Sequence, residues 1–219
     1  MSTPPRFAAV LFDCDGVLVD SEPITNGVLR DMLEAIGWSM SQEACAREFI
    51  GHTVRSKRAL IEAHTGRPFS EAWLADFMAQ RNVRLLQEVQ AIEGIHALVA
   101  GLHARLGGRI AVASGADRHK VEIMLDKVGL LSFFEGRIFS GHEMPRSKPH
   151  PDVYLAAAAH LQVAPERCLV VEDTTVGVTA GVAAGATVWA YAPPPAAHAP
   201  LLQAGAQQVF TGMHALRLA

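Results

Sequence analysis

The stretch Phe12-Asp13-Cys14-Asp15-Gly16-Val17-Leu18 follows directly on the apolar run Ala8-Ala9-Val10-Leu11. Such a run predicts a buried strand that ends in a polar loop. Two carboxylates two residues apart at a buried strand end raise each other's pKa unless a cation neutralises them. The pattern therefore indicates a metal site, with Asp13 as both ligand and nucleophile and Asp15 as its acid/base partner. Gly16 suits a tight turn whose backbone N–H groups face an anion.

Further apolar, β-branched runs alternate with helical patterns through most of the remaining chain. Continuous apolar strands that alternate with helices are typical of a parallel sheet covered on both faces. We therefore predict an α/β fold, in which ligands bind beyond the carboxyl ends of the strands. The predicted strands are 8–12, 109–114, 137–140, 168–171, 187–191 and 208–210, and the predicted helices are about 95–106, 118–128, 151–162, 175–184 and 196–203.

Residues 22–90 interrupt this alternation. Their apolar residues repeat with a helical period in four segments, with no convincing strand among them. We therefore predict an all-helical domain, residues 22–90, inserted into a core domain of residues 1–21 and 91–219, with hinge strands near Ser21 and Ala91. The four helical segments are 28–36, 44–49, 56–64 and 72–89.

The composition is that of an ordinary globular protein. Half of the 219 residues are apolar and 19% are charged, so the chain is able to bury a sizeable core. The 19 basic and 22 acidic residues give a formal charge of −3, which argues against a nucleic-acid or membrane partner. No apolar run reaches transmembrane length, and residues 1–6 lack the apolar core of a secretory signal. Three widely spaced cysteines without zinc spacing favour a cytoplasmic location.

Three further predicted strands end in residues that suit phosphate chemistry. The second ends in Ser114-Gly115, where a hydroxyl and backbone N–H groups would hold a phosphate at the start of a helix. The third is followed by Ser147-Lys148-Pro149-His150-Pro151-Asp152, in which Lys148 would supply a fixed positive charge and the prolines would stiffen the loop. The fourth ends in Glu172-Asp173, two acids of the kind that bind a divalent cation through oxygen.

Each of these positions also has a purely structural explanation. Asp13 and Asp15 would serve as turn caps, and Ser114 as a helix cap. Lys148 would be a solvated surface lysine, and Glu172-Asp173 would cap the following helix. Their joint occurrence, in this order, at the ends of four predicted strands favours a shared site.

These pieces resemble the motifs of the haloacid dehalogenase-like hydrolase superfamily over nearly the whole chain. The resemblance implies a Rossmann-like core, and the helical insertion is similar to the small cap of the phosphoglycolate phosphatase and β-phosphoglucomutase branch. It also implies that Ser114, the Gly115 N–H and Lys148 hold the transferring phosphoryl group. The motifs are residues 12–22, 112–115, 147–152 and 171–174, with Gly177, Ala180, Gly181, Ala183, Ala184 and Gly185 following the last.

The same resemblance implies the catalytic roles and the cofactor. Asp13 would attack phosphorus and form an aspartyl-phosphate, while Asp15 would protonate the leaving oxygen and then activate water. Mg²⁺ would bind the Asp13 carboxylate, the backbone carbonyl of Asp15, and the acids Glu172 and Asp173. Positioning and charge neutralisation of this kind dominate phosphoryl transfer.

Individual residues reduce the number of superfamily branches to which the chain is similar. Dehalogenases carry a different residue in place of Asp15, because a halide leaving group needs no acid. Phosphonoacetaldehyde hydrolases need a cap lysine, for which Lys57 is the candidate, but they typically lack the acid at Asp15. β-Phosphoglucomutases usually have a histidine where Thr25 stands and Lys-Asn where this chain has Asp117-Arg118. We therefore expect a Mg²⁺-dependent phosphatase for a small phosphorylated metabolite. A β-phosphoglucomutase-type mutase is the alternative, and a non-catalytic binding protein is a further one.

Two features of the sequence bear on the substrate class. Residues 139–149 and Cys14 are similar to sugar-acid phosphate phosphatases, such as those that act on 6-phosphogluconate. Specificity is expected from the cap, in the loop 51–57, where a basic residue would pair with a substrate carboxylate; a solvated helix–helix turn would have the same composition. The candidate contacts in this loop are His52, Thr53, Arg55 and Lys57. A monomer is expected, because the cap must move.

Overall fold

The computed structural model describes residues 6–49 and 52–218. Two compact units are present: an α/β unit, made of the chain up to Val19 and from Ala91 onward, and a helical unit, Asp20–Gln90. In chain order the strands and α-helices are β1 (Ala9–Phe12), β2 (Val19–Asp20), α1 (Glu22–Ala35), α2 (Gln42–Phe49), α3 (Arg58–Thr65), α4 (Glu71–Glu88), β3 (Gln90–Ala91), α5 (Ile95–Arg105), β4 (Ile110–Ser114), α6 (Arg118–Lys127), β5 (Ile138–Ser140), α7 (Asp152–His160), β6 (Cys168–Glu172), α8 (Thr175–Ala183), β7 (Thr187–Tyr191), α9 (Ala199–Gln203) and β8 (Gln208–Phe210).

The α/β unit contains a six-stranded sheet in the order β5-β4-β1-β6-β7-β8. All five strand pairs are parallel, so the carboxyl ends of the strands share one edge. β1 lies in the middle, and its last residue, Phe12, is paired with Val112 on one side and Val171 on the other. Asp13, the residue after β1, therefore lies level with Glu172. At this position the chain order of the strands reverses direction, and open α/β sheets bind ligands at such positions.

The strands form because their side chains are apolar on both faces. Every residue of β1, β4 and β6 is buried, as expected for parallel strands covered by helices on both sides. The predicted α/β class is therefore confirmed, and the six predicted strands are all present. The helix predicted at 151–162 ends earlier, at His160, because Gln162 adopts a left-handed φ of 55° that a helix does not accommodate.

The helical unit consists of α1 to α4 and has its own apolar core. Ser70 caps α4 by accepting a hydrogen bond from the Trp73 N–H (3.1 Å), and Pro23 lies in the first turn of α1, where it costs no helical hydrogen bond. The chain enters and leaves this unit through β2 and β3, which form a two-stranded sheet. The buried core residues are Val28, Leu29, Met32, Leu33, Cys45, Phe49, Ile61, Phe69, Leu74 and Phe77.

No helix within residues 6–49 and 52–218 combines the length and apolarity needed to cross a membrane.

Candidate active site

Three carboxylates meet at the carboxyl edge of the sheet. Asp13 follows β1, Glu172 is the last residue of β6, and Asp173 follows it. One carboxylate oxygen from each of the three lies within 4.8 Å of the others. The Asp13 N–H donates to the Val171 carbonyl (2.9 Å) and thereby fixes the start of the Asp13 loop against β6.

Lys148 lies between two of these acids. Its Nζ donates to Asp13 Oδ1 (2.7 Å) and to Glu172 Oε1 (2.6 Å), and all three side chains are almost completely buried. Burial alone would lower the pKa of Lys148, but the carboxylates of Asp13 and Glu172 outweigh it and hold this pKa well above its usual value. Lys148 is therefore a permanent cation inside the site and not a solvated surface lysine.

The two acids respond differently to the same lysine. Burial raises the pKa of Asp13 from 3.8 to about 7, and the charge of Lys148 only partly opposes this. Burial also acts to raise the pKa of Glu172, but Lys148 and the surrounding hydrogen-bond donors outweigh burial and lower it. Of the two acids that bind Lys148, Asp13 is therefore the one whose negative charge the protein compensates less.

The Glu172 carboxylate is held by donors on both oxygens. Oε2 accepts from the Asp173 N–H (3.0 Å), the Thr174 N–H (3.1 Å) and the Thr174 hydroxyl (3.0 Å). Oε1 accepts from the Tyr154 hydroxyl (2.8 Å) in addition to Lys148. Because its oxygens are so fully engaged, Glu172 fits a role in orienting the site at least as well as direct metal ligation.

Tyr154 was not predicted as a site residue from the sequence. It is fully buried on α7, and its ring lies beneath Lys148, with 4.8 Å between Nζ and the ring centroid. A cation over an aromatic face is stabilised by the ring quadrupole. The available signal was a single phenol among the apolar residues Val153-Tyr154-Leu155-Ala156-Ala157, because a buried Tyr hydroxyl usually has a polar partner.

Asp15 lies beside the carboxylate cluster and makes a different ion pair. Its Oδ1 accepts a hydrogen bond from the Lys120 Nζ at 2.5 Å. The loop between Asp15 and β2 is closed by Gly16, whose N–H donates to the Val19 carbonyl (2.8 Å). Gly16 has a φ of 75°, and a Cβ added there would lie 2.0 Å from Asp173 Oδ2, so only glycine leaves room for that carboxylate.

The predicted phosphate-binding residues Ser114 and Gly115 lie at the carboxyl end of β4, which pairs with β1. Ser114 is buried, and its hydroxyl accepts from the Ala116 N–H (3.0 Å) within the turn that follows β4. Ser114 is not the cap of α6; the cap is Asp117, whose side chain accepts from the Lys120 N–H (2.9 Å). A Cβ added to Gly115 would meet no atom within 4 Å, so the space beside its backbone is open.

The four cap candidates lie in the helical unit, and two of them are already paired there. Thr53 caps the short 3₁₀ helix Val54–Lys57 by accepting from the Ser56 N–H. Arg55 pairs with Glu71 through two hydrogen bonds, and Lys57 pairs with Glu48 at 2.7 Å. His52 is exposed, and Gly51, which was included in the predicted loop, lies outside the described residues. A substrate carboxylate would have to compete with these partners, so the specificity role of this loop stays a prediction.

The donor set at the sheet edge fits a hard divalent cation. When all six groups are ionised, the four carboxylates (Asp13, Asp15, Glu172 and Asp173) and the two ammonium groups (Lys120 and Lys148) sum to two negative charges. One Mg²⁺ would balance them, and carboxylate oxygens are the ligands that Mg²⁺ prefers. Gly16 contributes to this donor set by leaving the space that the Asp173 carboxylate occupies.

Comparison with known proteins gives consistent matches over most of the chain. A family model described as haloacid dehalogenase-like hydrolase matches residues 7–185. The chain is similar to 6-phosphogluconate phosphatase from Escherichia coli K12 (29% identical over 191 residues, 87% of this chain and 85% of that protein) and to hexitol phosphatase B from the same strain (31% over 188 residues, 84% and 83%). Among solved structures, it is similar to a HAD family hydrolase from Deinococcus radiodurans R1 with bound phosphate and sodium, at 34% identity and a TM-score of 0.80, covering 98% of this chain and 95% of that one.

Proposed function

The chain belongs to the haloacid dehalogenase-like hydrolase family, and we propose that it is a Mg²⁺-dependent phosphatase that hydrolyses a small phosphorylated metabolite. The observation that carries this proposal is the meeting of Asp13, Glu172 and Asp173 at the carboxyl edge of the sheet, where Lys148 binds the first two of them. The relatives that are named as phosphatases support the same reaction class.

In the first step an Asp13 carboxylate oxygen would attack phosphorus, and the bond between phosphorus and the ester oxygen would break. The leaving oxygen would take a proton from Asp15, so that an alcohol and not an alkoxide departs. The product on the protein would be an aspartyl-phosphate at Asp13. Covalent catalysis of this kind replaces one difficult displacement by two easier ones.

In the second step water would attack phosphorus, give a proton to Asp15, and release inorganic phosphate with the Asp13 carboxylate restored. Lys148 would keep one cation against the transferring phosphoryl group throughout, because its charge is permanent. The Ser114 hydroxyl and the Gly115 N–H would supply neutral hydrogen-bond donors from the neighbouring strand end. Preorganised donors of this kind need little reorganisation during the reaction.

Mg²⁺, when bound, would neutralise charge on the phosphoryl oxygens. Asp13 and Asp173 would hold it together with the Asp15 backbone carbonyl, and Glu172 would either share an oxygen or orient the other ligands. Lys148 already satisfies one oxygen of Asp13, so the other Asp13 oxygen is the candidate for attack or for ligation.

The substrate class we propose is a sugar phosphate or a sugar-acid phosphate. The relatives carry names for 6-phosphogluconate and hexitol phosphate substrates, which supports small polyhydroxylated leaving groups. We also propose that residues 22–90 form the cap domain that selects the leaving group. We further propose a cytoplasmic monomer; the three cysteines, which are free thiols, are consistent with a reducing compartment.

Phosphate release from a panel of metabolites tests the proposal. The panel contains 6-phosphogluconate, phosphoglycolate, hexose 6-phosphates, β-glucose 1-phosphate and nucleoside monophosphates, each with Mg²⁺ and with EDTA. We expect Mg²⁺-dependent release from one or a few of them. Conversion of β-glucose 1-phosphate to glucose 6-phosphate with little free phosphate would instead identify a mutase, and release from none would contradict both activities.

A further inference from the structure

Lys120 makes a buried ion pair with Asp15 that the reaction described above does not use. Its side chain is 9% exposed, and its Nζ lies 2.5 Å from Asp15 Oδ1, whereas the Asp15 side chain is 23% exposed. Taking an ammonium group out of water is costly unless it is paired. The ion pair with Asp15 therefore offsets the cost of burying the Lys120 ammonium group.

The backbone around Lys120 is itself fixed. Lys120 is the third residue of α6, and its N–H donates to the capping side chain of Asp117 at 2.9 Å. A second ion pair ties the same turn to the loop after β5, because Arg118 donates from Nε (2.7 Å) and Nη2 (2.6 Å) to the two carboxylate oxygens of Glu143. The lysine ammonium is thus presented to Asp15 from an anchored helix start.

The two buried lysines divide the carboxylates of the site. Lys148 binds Asp13 and Glu172, whereas Lys120 binds Asp15. The three carboxylates that lie within 4.8 Å of one another are those of Asp13, Glu172 and Asp173, and the Asp15 carboxylate is not among them. Lys120 therefore binds the Asp15 carboxylate outside the group formed by Asp13, Glu172 and Asp173.

We infer that Lys120 is a positioning residue, which fixes the Asp15 carboxylate where it exchanges a proton with the leaving oxygen. The inference rests on the proposed phosphatase activity. A misplacement of about 1 Å in a reacting group costs on the order of 100-fold in rate. Releasing Asp15 should therefore slow the esters that need a proton on the leaving oxygen and spare those that do not.

The test compares leaving groups in four variants. We would measure kcat/KM, which reports only the step up to alcohol release, for an alkyl phosphate from the substrate panel and for p-nitrophenyl phosphate, whose phenolate leaves without protonation. Lys120→Met removes the ammonium group at nearly constant volume, and Lys120→Arg keeps the charge. Asp15→Asn removes the acid itself, and Lys127→Met is the control, because Lys127 is exposed on the last turn of the same helix.

We expect Lys120→Met to lower kcat/KM for the alkyl phosphate by about 10- to 100-fold and for p-nitrophenyl phosphate by less than about threefold. Asp15→Asn should show the same selectivity more strongly, Lys120→Arg should recover part of the loss, and Lys127→Met should match wild type. If Lys120→Met does not fold, as judged by circular dichroism and thermal unfolding, the comparison is made with Lys120→Arg, which should show the same selectivity to a smaller degree.

An equal loss on both substrates would overturn the inference, because it would mean that Lys120 serves phosphate binding or folding. No loss on either substrate would overturn it as well. If wild-type protein hydrolyses neither substrate while being folded, the proposed phosphatase activity itself fails and the role of Lys120 falls with it.

Discussion

Gly177 on α8 should be irreplaceable because of where its missing side chain would fall. An ideal Cβ at this position would lie 1.7 Å from Glu172 Oε1 and within 2.3 Å of the other carboxylate oxygen. The carboxylate is not a flexible group that moves aside, since Lys148, Tyr154 and Thr174 hold it in a fully buried position. Gly177→Ala must therefore displace Glu172 from its donors.

The size of the effect follows from the bonds that would break. Hydrogen bonds to a charged group contribute about 1.5–3 kcal/mol each, so losing two of them costs roughly 3–6 kcal/mol. Alanine recovers about 0.5–1 kcal/mol within a helix because glycine loses more backbone entropy on folding. We expect Gly177→Ala to lower the free energy of unfolding by about 2–5 kcal/mol and to reduce phosphatase activity at least tenfold.

Gly101 provides the matched control. It is an exposed glycine inside α5, and a Cβ added there would meet no atom within 4 Å. Gly101→Ala should raise the free energy of unfolding by about 0.5–1 kcal/mol and leave activity unchanged. Urea unfolding and phosphate release would be measured on both variants. A Gly177→Ala protein as stable and as active as Gly101→Ala would refute the fixed position of the Glu172 carboxylate.

Three further predictions concern the charges of the site. Because burial raises the pKa of Asp13 from 3.8 to about 7, its contribution to the stability of metal-free protein is present below about pH 4 and is lost as the pH rises through about 7. In EDTA, the free energy of unfolding of Asp13→Asn relative to wild type should thus increase by more than about 1 kcal/mol from about pH 5 to pH 8. A difference in urea unfolding that does not change with pH would be inconsistent with this. Tyr154→Phe keeps the ring beneath Lys148 but removes a donor to Glu172, so the half-saturating Mg²⁺ concentration should rise about tenfold, and an unchanged Mg²⁺ titration would argue against this role of the hydroxyl. Ca²⁺ should inhibit, because it tolerates higher coordination and would disturb in-line attack; full activity in Ca²⁺ after chelator treatment would show this to be wrong.

The central strands β1, β4 and β6 were predictable from the sequence because they are buried, almost entirely apolar runs, and the polar residues at their ends followed from the same pattern. The sheet order was not predictable, since nothing local specifies that β1 lies between β4 and β6. Only that order brings Asp13 beside Glu172, which is 159 positions away along the chain. The prediction of a shared site therefore depended on the joint occurrence of these residues at four strand ends. It did not depend on knowing which strands are neighbours.

The partners of the charged side chains could not be predicted from the sequence either, for a different reason. Lys120 falls in a helix with other charged residues and reads as one more solvated cation, but its partner Asp15 lies 105 positions earlier. Arg55 and Lys57 show the converse case, because residues that look available for a substrate are paired with Glu71 and Glu48 in the helical unit. Charge type is visible in a sequence, whereas the partner that uses the charge depends on packing.

Chemical trapping at Asp13 tests the central claim most directly. The enzyme would be mixed with its best substrate, quenched in acid within a single turnover, reduced with borohydride and digested for mass spectrometry; Asp15→Asn, which should hydrolyse the intermediate slowly, would be treated in parallel. Borohydride reduces an acyl phosphate to the alcohol, so the account predicts homoserine at position 13 only when substrate was present, and none in Asp13→Asn. Steady release of phosphate with no reduced residue at position 13, or with the reduced residue elsewhere, would contradict the account.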